Sequence, residues 1–274
     1  MMAARLLPDR VRGAVIAAGD MPIEPRGLQC LAALLGLAPA HPRVMLLQAC
    51  TPDDEAGNED GLDGLLRQAG AGELSRHLLR GRSDASEPEL VDMLERAQVV
   101  VLASDQPLRL STLLGGTGLA RAIRRRNVEG AIVVGCGAGA AILCEHMLAQ
   151  GASQGSTPRS GGAQLAPGLG LTNRVVIDHG SQASDRIGRL LAALALNPFA
   201  LGLGIDAATA AVIGADNVME VVGSGGVTVI DPAEMADSNV LDLTPGAPIR
   251  ITNLRLHALV AGTRYDLDFR RTLA

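Results

Sequence analysis

Five short runs rich in valine, isoleucine and leucine recur along the chain: GAVIAA at 13–18, RVMLLQ at 43–48, QVVVLA at 98–103, AIVVG at 131–135 and RVVID at 174–178. A near-continuous apolar run of this length marks a strand covered on both faces. Parallel strands need long crossovers, and segments of helical period supply them at about 24–37, 58–69, 87–96, 117–126, 138–149 and 184–195. The alternation predicts an α/β fold built on a three-layer, doubly wound, mostly parallel sheet, with any active site in the turns at its carboxyl edge. From Gly204 the texture changes to short pieces, AAVIG, VMEVVG, GVTVID and IRITNLRLHALVAG, that read as antiparallel strands at the end of the sheet. No linker or charge block divides the 274 residues, so 1–274 reads as one domain with 1–12 as an N-terminal extension and 204–274 as its β-rich part. The Gly-, Ser- and Pro-rich stretch 151–168 reads as a surface loop.

The fourth run leads into VVGCGAGAAIL, residues 133–143, a buried strand passing through a glycine turn into small residues. Hydrolases place a nucleophilic serine at the centre of such a turn, in the pattern G-x-S-x-G. Here Gly135-Cys136-Gly137-Ala138-Gly139 keeps the spacing with glycine at the centre. Three readings stand open: an elbow whose nucleophile position is vacated at Gly137, an elbow whose nucleophile has moved to Cys136, or a turn with no chemistry.

Composition removes several function classes. A net charge of −5, one tyrosine, two phenylalanines and no tryptophan exclude the basic stripe and stacking aromatics of a nucleic-acid binder. The sequence has no lysine, so no lysine-based chemistry is open to it. Cys30, Cys50, Cys136 and Cys144 are scattered without a C-x-x-C pair, which predicts neither a metal site nor a disulfide framework and fits a reducing, cytoplasmic location. Arg5, Asp9, Arg10 and Arg12 interrupt the stretch where a signal peptide would need its apolar core. No segment reaches the roughly 18 uncharged apolar residues expected of a membrane span, and no cofactor or metal is expected.

Several longer stretches resemble the cyanophycinases, family S51 serine peptidases that cleave multi-L-arginyl-poly-L-aspartate into β-aspartyl-arginine dipeptides. The matching pieces are STLLGGTGLARAIRRR, GAIVVGCGAGAAILCEHMLAQG, VVIDHGSQASDRIGRLLAALALNPFALGLGIDAATAAVI, VVGSGGVTVID and PIRITNLRLHALVAGTRYDLDFRR, in family order over about residues 13–271. The resemblance implies a class I glutamine amidotransferase-like, flavodoxin-like arrangement of the α/β layers.

Carried across residue by residue, the family's functional positions are depleted. Family members read G-T-S-A-G-A at the elbow, and the serine falls on Gly137, which has no side chain to form an acyl-enzyme. The family's D-Q-H-F stretch, anchored on Arg186 and Arg189, falls on Asp178, His179, Gly180 and Ser181, so the base position is vacated at Gly180. The family arginine before that helix falls on Ser184. In Ser104-Asp105-Gln106-Pro107-Leu108-Arg109 the family glutamine becomes Pro107, and in Gly204-Ile205-Asp206-Ala207-Ala208-Thr209-Ala210 a carboxylate is lost at Ala207.

The resemblance and these losses together imply a cyanophycinase-like pseudoenzyme, in a homodimer or in a heterodimer with an active cyanophycinase-like subunit. Asp178, Arg186 and Arg189 are its candidate contacts to cyanophycin or β-aspartyl-arginine peptides, by charge-assisted pairing; ion pairs within the scaffold account for the same three residues equally well. The alternative is an active hydrolase using a relocated pair, Cys136 as nucleophile and His179 as base after a one-residue shift of the loop.

Overall fold

The computed structural model describes residues 11–49, 61–151, 155–179 and 183–274. The first half runs β1 (Val15–Ala18), α1 (Pro25–Leu35), β2 (Arg43–Ala49), α2 (Leu62–Gln68), β3 (Glu73–Leu79), α3 (Pro88–Arg96), β4 (Val99–Ser104), α4 (Pro107–Leu114), α5 (Gly118–Val128) and β5 (Ile132–Gly137). A 3₁₀ turn over Ala138–Leu143 leads to β6 (His146–Gln150), β7 (Gln164–Pro167), β8 (Val175–Asp178) and α6 (Ala183–Leu196). The remainder is β9 (Leu201–Ile205), β10 (Thr209–Ile213), β11 (Val218–Gly223), β12 (Gly226–Asp231), β13 (Asp237–Ser238), β14 (Ile251–Thr252), β15 (Arg255–Val260), β16 (Arg264–Asp266) and β17 (Arg271–Leu273).

A nine-stranded sheet in the order β17-β16-β11-β10-β1-β5-β4-β2-β3 forms the centre. Its β1-β5-β4-β2-β3 part is parallel, and β10, β11, β16 and β17 extend it antiparallel beyond β1; AAVIG and VMEVVG thus lie where expected, whereas GVTVID (β12) and the RLHALV strand (β15) of the last piece belong to a second sheet. Side chains alternate along the strands. Val15, Ala17, Met45 and Leu47 enter one core with α3, α4 and α5, whereas Ile16, Ala18, Val44 and Leu46 enter another beneath α1 and α2. Local signals set the helix starts: proline occupies the first turn of α1, α3 and α4, where its missing N–H is not needed, and Thr117 Oγ1 caps α5 by accepting from Ala120 N at 3.3 Å.

Two expectations are corrected. The run 174–178 does not join the central sheet: β10 hydrogen-bonds the edge of β1 that faces away from β5, and β8 instead pairs in parallel with β9 in a second sheet, β15-β12-β9-β8. That sheet packs one face into the core of α3, α4 and α5 and its other face against α6. The helix expected over 138–149 stops at Leu143, because the carbonyls of Ile142, Leu143 and Cys144 accept from Leu169, Leu171 and Gly170 of a crossing chain rather than from a next helical turn. The following residues turn into β6, which pairs with β7.

The loop expected over 151–168 contains β7, and its described part is anchored. Ser160 N donates to Ala247 O at 2.9 Å and Ile249 N to Pro158 O at 2.8 Å. No helix among the described residues is long and apolar enough to cross a membrane.

Candidate active site

Strands β1, β5 and β4 lie side by side, so their carboxyl ends bring Gly19 and Asp20, Gly137, and Ser104 to Gln106 to one edge of the sheet. Gly137 closes β5 at φ 55° and ψ −129°, a backbone state that L side chains rarely adopt, and its N–H reaches toward Gly19 O at 3.4 Å. The two flanking glycines are required by contact. A Cβ on Gly135 would stand 2.4 Å from Gly139 O, and one on Gly139 would stand 2.2 Å from Leu102 O. The central position has room: a Cβ on Gly137 would meet Asp20 Oδ1 at 3.0 Å and, its chain neighbours aside, no other atom of the described residues within 4 Å. The chain therefore builds an elbow with a half-buried, positive-φ centre and places glycine there.

Asp20, which the sequence reading did not single out, stands beside the empty position. Its signal was the place of IAAGD, a strand followed by a glycine turn at the carboxyl edge. His179 Nδ1 lies 3.8 Å from Asp20 Oδ1 and has no hydrogen-bond partner among the described residues. Burial pulls the His179 imidazole below its ordinary value, the Asp20 and Asp178 carboxylates oppose that shift, and the Arg189 and Arg186 cations add to it. The ring is held neutral at pH 7.

Next to His179 opens a cavity of about 580 Å³ whose walls include Gln106, Pro107, Arg109, Leu148, Asp178 and Arg189. Asp178, 4% exposed, accepts two bonds from Arg189, from Nε at 2.8 Å and from Nη2 at 3.0 Å. Arg186 sits one step behind this wall. Its Nη1 donates to Ile205 O at 2.7 Å and its Nη2 to Asp206 Oδ1 at 2.5 Å, while Asp206 Oδ2 accepts from Gly226 N at 3.0 Å. Both arginines are thus held by ion pairs within the scaffold, and only Arg189 lines the cavity. Pro107 opens α4 at the cavity wall, Ala207 is exposed in the turn after β9, and Gly180 lies outside the described residues.

Cys136 points the other way. It belongs with Ile16, Ala18, Cys30 and Val134 in the core beneath α1, on the face of the sheet opposite Val133. Burial, with smaller contributions from Cys30 and Asp20, pushes its thiol up to about 12. A neutral, packed thiol is a poor nucleophile. The site brings together the elbow, Asp20, His179, and the Asp178–Arg189 pair; it does not bring Cys136 to the cavity wall.

A family model, Peptidase family S51, matches residues 48–221. A cyanophycinase from Synechococcus elongatus is 33% identical over 258 residues, covering 93% of this chain and 80% of the relative. A cyanophycinase from a Nostoc strain is 32% identical over 267 residues, covering 97% of this chain and 89% of the relative. Among solved structures, a peptidase from an acI-B1 actinobacterium superposes with a TM-score of 0.65 at 20% identity, over 94% of this chain and 98% of that one, and shares the fold.

Proposed function

The chain belongs to peptidase family S51, and from that premise we propose that it is a catalytically inactive, cyanophycinase-like subunit that pairs with an active cyanophycinase-type hydrolase in the breakdown of cyanophycin. The observation that carries this reading is Gly137. The elbow keeps its positive-φ centre and its two obligatory flanking glycines, and its central residue has no side chain to form an acyl-enzyme. The loss is specific to chemistry, since the scaffold around the position is intact. In this role the cavity bordered by Asp178, His179 and Arg189 holds cyanophycin or β-aspartyl-arginine peptides without cleaving them, in the cytoplasm.

A hydrolase using Cys136 with His179 is the competing reading. It needs a thiolate on the cavity side of the sheet, whereas the Cys136 thiol is pushed up to about 12 and packs beneath α1. No observation favours it.

The test is to purify the chain alone and together with an active S51 relative, then follow release of β-aspartyl-arginine from cyanophycin. The lone chain is expected to release none, and the mixture to co-elute as a complex and to bind the polymer. Release by the lone chain at the rate of the active relative would end the reading.

A further inference from the structure

Away from the elbow, three side chains that each carry a buried polar atom without a partner among the described residues come together where the two sheets meet. On β12 and β15, Val229 pairs with His257 and Asp231 with Arg255, so Asp231 and His257 are diagonal neighbours on one face of the second sheet. That face looks toward β16, whose Tyr265 packs edge-on against His257 with ring centroids 5.4 Å apart and planes at 62°. Tyr265 is wholly buried and Asp231 is 1% exposed. Among the described residues, Tyr265 Oη, His257 Nε2 and Asp231 Oδ2 are buried and have no hydrogen-bond partner. The other carboxylate oxygen is fully engaged: Asp231 Oδ1 accepts from Arg270 Nη1 at 2.5 Å and from Ala233 N at 2.9 Å.

Leaving three such atoms dry is costly, and buried polar groups are almost always satisfied by protein or by ordered water. We infer that Asp231, His257 and Tyr265 hold one internal water molecule that joins the C-terminal hairpin of the large sheet to the second sheet.

The chemistry selects the occupant. Burial, and next the Asp231 charge, pushes the Tyr265 hydroxyl up to about 12, so it stays an O–H donor. Asp231 Oδ2 is an acceptor, and His257 Nε2 donates or accepts according to its tautomer. A water has two donors and two acceptors and meets either tautomer, with about three bonds in all, as internal waters usually make. A cation does not fit, because the Arg270 guanidinium already neutralises the only carboxylate of the group.

A crystal structure of the full chain at a resolution that shows ordered solvent tests this. The expected result is one peak about 2.7–3.2 Å from each of the three atoms. Tyr265 Oη bonded directly to Asp231 Oδ2 with no peak between them would overturn the inference. So would a peak with contacts of about 2.3–2.6 Å, the signature of a metal ion. In solution, Tyr265→Phe removes the donor while keeping the ring, and a fall of about 3 °C in Tm is expected; an unchanged Tm would count against a hydrogen-bonded water at that point.

Discussion

Oδ1 of Asp20 lies 3.0 Å from the point that a Cβ on Gly137 would occupy, and, its chain neighbours aside, no other atom of the described residues comes within 4 Å of it. The two flanking glycines are in the opposite situation, with backbone carbonyls 2.4 Å and 2.2 Å from the corresponding points at Gly135 and Gly139. The three alanine substitutions therefore separate. Gly137→Ala adds a side chain at positive φ beside one movable carboxylate and is expected to cost about 1–2 kcal/mol. Gly135→Ala and Gly139→Ala drive a methyl into backbone that cannot move away, and are expected to cost about 3 kcal/mol or more, or to prevent folding. Urea denaturation of the three variants checks the order.

Introducing serine at position 137 is expected not to give hydrolysis. In Gly137→Ser the polar atom nearest the new side chain is the Asp20 carboxylate, which holds the hydroxyl as a donor and is too weak a base to deprotonate it. The same carboxylate oxygen lies 3.8 Å from His179 Nδ1 and competes for any serine hydroxyl placed there. The measurement is β-aspartyl-arginine release by Gly137→Ser beside the parent chain. Appreciable release would show that His179 already serves as a base for position 137 and that glycine alone silences the site.

Thiol chemistry gives an independent check. Cys30, Cys136 and Cys144 are buried, and their thiols are pushed up to about 11, 12 and 12. Iodoacetamide at neutral pH is expected to leave all three unmodified in the folded chain and to label them once urea unfolds it, as peptide mapping would report. Rapid labelling of Cys136 in the native state would reopen its candidacy as a nucleophile.

The central sheet was readable because its strands are continuous apolar runs separated by helical period, a pattern with few structural solutions. The placement of β8 was not, since which edge a buried strand joins depends on β10 closing β1, a contact about 195 residues apart in sequence that leaves no local trace. The stretch 138–149 departs from helix for a related reason: its small residues have helical spacing, and the crossing chain at 169–171 ends the helical segment at Leu143. At the site, spacing marks Gly137 as the centre of a glycine turn and leaves three readings open; the family resemblance, not the spacing, sets it on the nucleophile position. Asp20 was not legible, because one aspartate after a strand has no distinguishing neighbour until the fold sets it beside the elbow. The orientation of Cys136 follows from strand alternation: next to a glycine that carries no side chain, it takes the face opposite Val133.

The Asp178–Arg189 pair carries structure whatever it binds. Asp178 is 4% exposed and Arg189 16%, with two charge-assisted bonds between them. Arg189→Met leaves a buried carboxylate without its guanidinium and is expected to cost about 3–5 kcal/mol. The double variant Asp178→Asn with Arg189→Gln removes both charges and is expected to regain part of that loss. A double-mutant cycle in urea measures the coupling, and additive single effects would mean that the pair is not coupled in solution.

The neutral ring of His179 fixes the direction of a pH effect. Its value in the folded chain is below the ordinary one, so as pH falls the unfolded chain takes up the proton first and the folded chain resists it. This group leaves stability unchanged above about pH 7.5, lowers it as pH falls through about 6.5, and stops contributing once the folded ring is itself protonated. His77, whose imidazole burial also pulls down, contributes in the same sense. His179→Gln is therefore expected to lose less stability than the parent chain between about pH 7 and pH 5.5, with His77→Gln adding to the effect. Urea midpoints at three pH values across that window provide the comparison. Equal slopes for His179→Gln and the parent would mean that burial does not shift the imidazole beside Asp20, and a parent that gains stability relative to His179→Gln as pH falls would mean that the folded ring already carries the proton.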